Sequence, residues 1–253
     1  MRALLLDIGN TRVKWGVFDG SDIRRTGSIS HQKIVESGVT ALTTRLPRRV
    51  NHIYACNVAG SSVGAKLSGV VGLHCNSDVR FVRVDRAAFG ITNCYRKPRQ
   101  LGVDRWVAMI GAYAEFACGL CIVDAGTAVT IDALSRSGEH LGGQIIPGLA
   151  LMEQVLVAET GDIGPAKKRG GRTPTGMALF ADNTDAAIRN GASCAVCGAI
   201  EAAVRRLRAA GYRPKIVLTG GDASRILKQL DVRFSHRPNL VLQGLAFMLR
   251  SKL

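Results

Sequence analysis

The sequence predicts an α/β fold made of two similar halves, each with a mixed sheet flanked by helices. Three observations lead there. A short apolar run closing on Asp7 and Gly9 leads into a second, alternating run, and the pattern returns at Asp124 and Gly126 with a single offset of 117 residues, close to half the chain. Strand-like and helix-like segments alternate through the rest of each half. Each half opens as an antiparallel meander, so the sheets are expected to be mixed and not purely parallel. On this reading residues 1–117 form the first half and residues 118–253 the second.

Taken in order, Ala3 to Leu6 is an apolar strand ending in Asp7, Gly9-Asn10 is a turn, and Thr11 to Phe18 alternates as its antiparallel partner. Asp19-Gly20 is a second turn signal, and a third strand runs from Ile23 to Ile29. A helical stretch and a strand at His52 to Cys56 follow. From Asp104 to Phe116 the apolar residues recur at helical spacing, with Gly119 as the expected stop. The second half then repeats the opening: Cys121 to Val123 ends in Asp124, Gly126-Thr127 turns, a run continues to Leu134, and a turn falls near Gly138. Beyond Gly142-Gly143 and Pro147-Gly148 come a helix to about Glu159, a basic loop, a long helix from about Asp182 to Ala210, a strand at Ile216 to Leu218, and Gly220-Gly221-Asp222 before a further helix.

At 253 residues the chain can bury a sizeable core, and 47% hydrophobic against 21% charged residues is the balance of a packed protein. No apolar run reaches the roughly 18–20 residues of a membrane-spanning helix. The N-terminus has no signal-peptide pattern, so a cytoplasmic location is expected. Seven cysteines, an odd number, argue for reduced thiols. Cys118/Cys121 and Cys194/Cys197 have the spacing of zinc ligands, but they sit in apolar or alanine-rich segments where cysteine usually acts as a small buried hydrophobe. The net charge of +15 allows a nucleic-acid partner or an anionic substrate without choosing between them. The basic clusters Arg45 to Arg49, Arg96 to Arg99 and Lys167 to Arg172 lack interleaved aromatics and read as solvated loops.

Asp7-Ile8-Gly9-Asn10-Thr11 puts a carboxylate at the end of a buried strand, followed by a glycine that lets backbone amides approach a ligand. Asn10, Thr11 and Lys14 add donors suited to phosphate oxygens, and Asp7 suits the hydration shell of Mg²⁺. One such turn is ordinary. Its repetition at Asp124-Ala125-Gly126-Thr127 gives two hairpins able to grip one polyphosphate, by a geometry unlike a Walker loop, and no GxxxxGK[ST] motif is present. Gly220-Gly221 offers backbone at a helix start. Asp104 has two readings, a helix N-cap or an acceptor for a substrate hydroxyl proton beside Arg105, whose fork suits an anionic group. Tyr95 has a packed-aromatic reading and Thr184 a cap reading as well.

Together, Asp7 to Thr11, Gly102-Val103-Asp104-Arg105, Asp124 to Ala128, Gly142-Gly143 with Pro147-Gly148, and Asn183 to Ile188 resemble type III pantothenate kinases over nearly the whole chain. The resemblance implies a duplicated ribonuclease-H-like fold of the acetate and sugar kinase, Hsp70 and actin superfamily, usually a homodimer. It implies phosphorylation of pantothenate by ATP to 4′-phosphopantothenate, the first step of coenzyme A biosynthesis. By the same resemblance Asp7, Ile8, Gly9, Asn10, Thr11, Arg12, Val13 and Lys14 form the first phosphate-binding segment, with Asp7 meeting Mg²⁺ through water. Thr127 is the second ATP contact, Asp104 the general base, and Asp124 the ligand of a monovalent cation, K⁺ or NH₄⁺. Tyr95, Gly102, Val103, Asp104, Arg105 and Thr184 match positions contacting pantothenate. A regulatory factor binding nucleic acid or protein, and a kinase of the same superfamily acting on another small acid or sugar, are the alternatives.

Overall fold

The computed structural model describes residues 1–159 and 180–251; the basic stretch Lys167 to Arg172 lies outside them. Two compact units are present: residues 1–118, 134–142 and 239–253 form the first, and residues 119–133 and 143–238 the second. The chain therefore crosses from one to the other next to the repeat boundary but returns twice, and its C-terminal helix belongs to the first unit.

In the first unit β1 (Ala3–Ile8), β2 (Arg12–Phe18) and β3 (Ile23–Ser30) form the antiparallel meander. After the short helices α1 (His31–Ser37) and α2 (Thr40–Thr43), β4 (His52–Asn57) pairs parallel with β1. Helix α3 (Ser61–Cys75) leads to β5 (Val79–Phe81), parallel to β4, so the sheet order is β3-β2-β1-β4-β5. Strand β1 is central and buried along its whole length, which explains why Ala3 to Leu6 reads as an unbroken apolar run. Leu4, Leu6, Ile8, Val13 and Ile53 pack with Leu67 and Val71 of α3 in one core.

A two-stranded ribbon, β6 (Ala87–Ala88) and β7 (Ile91–Thr92), and a 3₁₀ turn at Pro98–Gln100 precede α4 (Val103–Phe116). This helix ends at Ala117, which takes the left-handed conformation (φ 46°) with its N–H on the Tyr113 carbonyl, and so stops before the expected Gly119. In the second unit, apart from Leu134 and residues 140–142, which belong to the first, β8 (Leu120–Ala125), β9 (Ala128–Leu134) and β10 (His140–Pro147) are followed by α5 (Leu149–Glu159) and α6 (Thr184–Ala209). Then come β11 (Lys215–Thr219), α7 (Ala223–Ile226) and β12 (Phe234–His236). The sheet order β10-β9-β8-β11-β12 reproduces that of the first unit strand for strand. The fold is the duplicated α/β architecture that the 117-residue offset predicts.

The last helix, α8 (Leu240–Arg250), packs along α4. The two backbones meet at Gly111 and Gly244: a Cβ on Gly244 would lie 2.8 Å from Val107 Cγ1 and closer still to the Val107 carbonyl oxygen. Only glycine permits that approach, which seats α4 and the residues at its N-terminus. Among the described residues no helix is long and apolar enough to cross a membrane.

Candidate active site

In the first unit, Asp7 is the penultimate residue of the buried strand β1, just before the β1–β2 loop. The loop spans residues 9–11 and is closed by the Gly9 N–H on the Arg12 carbonyl at 3.0 Å. His31 braces it from outside, its Nε2 donating to the Gly9 carbonyl at 2.7 Å. Asn10, Thr11 and Arg12 are exposed at the tip, and Arg12 Nη2 donates to Ser28 Oγ at 3.0 Å. Ile8 and Val13 point into the core, so of these two only the backbone is available to a ligand.

Asp7 is buried, 7% exposed, and its register places Lys14 opposite it on β2 and Cys56 beside it on β4. The Cys56 S–H donates to Asp7 Oδ1 at 3.3 Å. Burial pushes the Asp7 carboxyl above its ordinary value; Lys14 and the Cys56 hydrogen bond pull it back, and the like charge of Asp104 pushes it up again. Burial, followed by the Asp7 and Asp104 charges, drives the Cys56 thiol far above its usual range. The fold thus gathers Asp7, Lys14, Cys56 and Asp104 into one electrostatic group. Cys56 was not legible as part of it, because only the parallel register of β1 and β4 sets it next to Asp7.

Asp104 is the second residue of α4, whose N-cap is Gly102. The cap reading is therefore replaced: Asp104 Oδ1 accepts the N–H of Arg105 at 2.8 Å inside the first turn. A Cβ on Gly102 would stand 2.6 Å from that same oxygen, so the glycine of Gly102-Val103-Asp104-Arg105 makes room for the carboxylate. Arg105 is buried, places Nη1 3.1 Å from the Tyr95 hydroxyl, and holds its guanidinium 5.8 Å from the ring centroid. His140 stacks on the same ring at 5.9 Å. Arg86 donates to the carbonyls of Asn93, Tyr95 and Arg96 at 2.7–3.1 Å and so fixes the segment carrying Tyr95. Sequence reasoning missed Arg86 and His140, which lie in loops and at a strand start without a motif. A cavity of about 490 Å³ opens beside Gly102 and Val103, bordered by Asn57, Arg83 and Arg99.

In the second unit, β8 and β9 are joined by Gly126-Thr127 alone, a link short enough only for an antiparallel pair. This turn is one residue shorter than its counterpart. Its backbone is gripped from two sides. The Gly148 N–H donates to the Thr127 carbonyl at 2.9 Å, and a Cβ on Gly148 would come within 2.6 Å of that oxygen and nearer to Gly126 O. Gly220 (φ 101°) sits so close to Ala125 that a Cβ would fall 2.5 Å from its N and C atoms. Gly148 and Gly220 therefore serve first to seat the turn; α7 behind Gly220 has only four residues. Asp124 is half-buried, Thr127 exposed, and Asp124 is the register partner of Thr219 on β11. Thr184 is exposed as the first residue of α6, and the cap is Asn183, whose side chain accepts the Ala186 N–H. Cys121 and Cys197 lie in the apolar core of this unit, where burial pushes their thiols up to about 12 and about 11. Among the described residues no group of three or more His, Cys, Asp or Glu side chains is placed to hold a metal ion. Asp7 by itself suits a hard cation that keeps most of its ligands as water and phosphate oxygens, as Mg²⁺ does.

Two like-ordered sheets, each with an acidic strand end and a tight glycine turn, define a protein of the actin-like ATPase and sugar-kinase fold class. The activator of 2-hydroxyisocaproyl-CoA dehydratase from Clostridium difficile, a structure with bound ADPNP, shares the fold at a TM-score of 0.54 and 13% identity, over 100% of this chain and 95% of that one. The family model of type III pantothenate kinase matches residues 3–206. The type III pantothenate kinase of Nitrosococcus oceani is 35% identical over 96% of this chain and 92% of its own, and that of Nitrosospira multiformis 38% identical over 98% and 90%. The chain belongs to the type III pantothenate kinase family.

Proposed function

We propose that this protein transfers the γ-phosphoryl group of ATP to the primary hydroxyl of pantothenate, giving ADP and 4′-phosphopantothenate at the entry to coenzyme A biosynthesis. The observation that carries the reading is the grouping of Asp7, Lys14 and Asp104 on the same unit as the Tyr95–Arg105 pair, in a chain of this family. The Asp7-to-Lys14 turn and the Thr127 turn each present backbone and hydroxyl donors to phosphate oxygens. Asp104 accepts the proton of the attacking hydroxyl as its oxygen bonds to the γ-phosphorus and the bond to ADP breaks. Arg105, held by Tyr95, pairs with the pantothenate carboxylate; Gly102, Val103 and Thr184 complete the acceptor contacts.

Mg²⁺, when bound, neutralises charge on the phosphates, and Asp7 is the residue that meets its water shell. Asp124 is the proposed ligand of K⁺ or NH₄⁺. The protein works as a homodimer in the cytoplasm, its repeat units being residues 1–117 and 118–253. Mass spectrometry of the acceptor after incubation with MgATP and K⁺ tests the proposal: pantothenate gains one phosphoryl group on its primary hydroxyl. Unmodified pantothenate alongside ADP and inorganic phosphate would show transfer to water only and would overturn pantothenate as the acceptor.

A further inference from the structure

One buried polar contact not used by the reaction above joins β1 and β4. Cys56 is 1% exposed and lies directly beside Asp7 in the parallel register. Its backbone has little freedom: the next strand residue, Asn57, is tied by Nδ2 to the Gly60 carbonyl at 2.9 Å, and the Val58 N–H donates to the Ile8 carbonyl at 2.9 Å. The thiol therefore comes from a fixed point on the sheet and aims at Oδ1 of Asp7, 3.3 Å away. A buried carboxylate without such a donor can rotate about its last torsion, which is broad for a terminal sp² group.

The second unit repeats the arrangement in chemically related form. Strands β8 and β11 correspond to β1 and β4 in sheet order, and their register sets Thr219 beside Asp124 as Cys56 is set beside Asp7. Thr219 is 2% exposed. In both halves a short side chain with one S–H or O–H stands on the neighbouring parallel strand next to the acidic strand end. Its recurrence, with different chemistry, points to a need for a small donor at that position and not for cysteine as such.

We infer that Cys56 is a positioning residue for the phosphoryl-transfer site: by holding Oδ1 it fixes the Asp7 carboxylate so that its remaining lone pairs are presented to the hydrated metal of the nucleotide. The inference rests on the reading of Asp7 proposed above. A role confined to core packing would make sulfur volume the relevant property; positioning makes the donor hydrogen relevant. Serine keeps the donor and loses volume, whereas alanine loses both.

Full-length wild-type, Cys56→Ser, Cys56→Ala and Asp7→Asn proteins are compared by thermal shift with MgADP across Mg²⁺ concentrations, and by steady-state kinetics. For Cys56→Ala we expect about a tenfold higher Mg²⁺ requirement in the thermal shift, the scale of losing a partner behind a metal site. The same rise should appear in the KM for MgATP, with the pantothenate KM unchanged. Cys56→Ser should return both to within about twofold of wild type, as a hydroxyl donor replaces the thiol. Wild-type Mg²⁺ dependence in Cys56→Ala, while Asp7→Asn is impaired, overturns the inference and leaves the reading of Asp7 standing. Wild-type Mg²⁺ dependence in Asp7→Asn overturns both. Should Cys56→Ala fail to fold, Cys56→Ser decides alone: a tenfold defect in a protein melting normally overturns the positioning role.

Discussion

Replacing Gly148 by alanine perturbs the Gly126-Thr127 turn, the second of the two turns proposed to meet phosphate, without touching any proposed ligand side chain. An added Cβ would meet Thr127 O at 2.6 Å and Gly126 O more closely, whereas ordinary contact begins near 3.4 Å. These are backbone atoms and cannot swing aside. The turn and the Gly148 segment must separate by about 1 Å, and the hydrogen bond from Gly148 N to Thr127 O is stretched with them. Overpacking of this kind costs about 1–3 kcal/mol, and each kcal/mol lowers Tm by roughly 2–4 °C at this chain length. A misplacement near 1 Å at a reacting site costs about 10²-fold in rate. The assay is steady-state ADP release with ATP varied, alongside a thermal melt. We expect a raised KM for ATP, a kcat reduced by up to that factor, and a lower Tm. Gly198→Ala is the control: it lies in α6 with no atom within 4 Å of the added Cβ, so activity is unchanged and helix propensity gains about 0.5–1 kcal/mol. A Gly148→Ala protein with wild-type ATP kinetics and Tm would refute the reasoning that this glycine seats the turn.

Four further outcomes are expected. Asp104→Asn keeps MgADP binding by thermal shift but loses about 10²–10⁴-fold in kcat; an unchanged rate would leave the carboxylate as an acceptor for the Arg105 N–H alone. Arg105→Lys loses the fork and raises the pantothenate KM by roughly tenfold or more, with the KM for ATP unaffected. Replacing K⁺ by a large organic cation lowers activity in wild type, and Asp124→Asn removes that response; indifference of wild type to the cation would contradict the Asp124 assignment. Asp7 has its folded-state carboxyl raised from 3.8, chiefly by burial, so the stability it contributes is present below that pH and is lost as pH rises through the raised value. In urea titrations without nucleotide, Asp7→Asn should therefore gain on wild type between pH 4 and pH 7; a pH-independent difference would contradict the cause assigned to the shift.

The local signals in the sequence were strong at the tight turns between strands. Gly9-Asn10, Asp19-Gly20 and Gly126-Thr127 each mark such a connection, and of their glycines Gly20 alone has the positive φ that favours glycine. Asp7 and Asp124 at equal offsets revealed the repeat. The helical spacing from Asp104 to Phe116 marks the end of α4 where the structure has it, but the stop is Ala117 in the left-handed conformation that glycine usually supplies, and not Gly119. Short strands such as β5 and β12 carry three residues each and owe their pairing to β4 and β11, far away in sequence. Helix α8 was not resolved as an element, and nothing local indicates that it closes the first unit against α4 through Gly111 and Gly244. The site shows the same division. Asp7, Asp104 and Arg105 stood out by residue type and spacing, whereas Cys56, Arg86 and His140 take their places through register, loop clamping and ring stacking, which depend on the assembled fold.

The central claim is tested most directly by one coupled ADP-release assay on the purified protein with MgATP and K⁺, comparing pantothenate, glycerol, acetate and no acceptor, in wild type and Asp104→Asn. The account predicts turnover that requires pantothenate and collapses in Asp104→Asn while that protein still binds MgADP. Equal turnover with any acceptor, or pantothenate turnover that survives in Asp104→Asn, would contradict it.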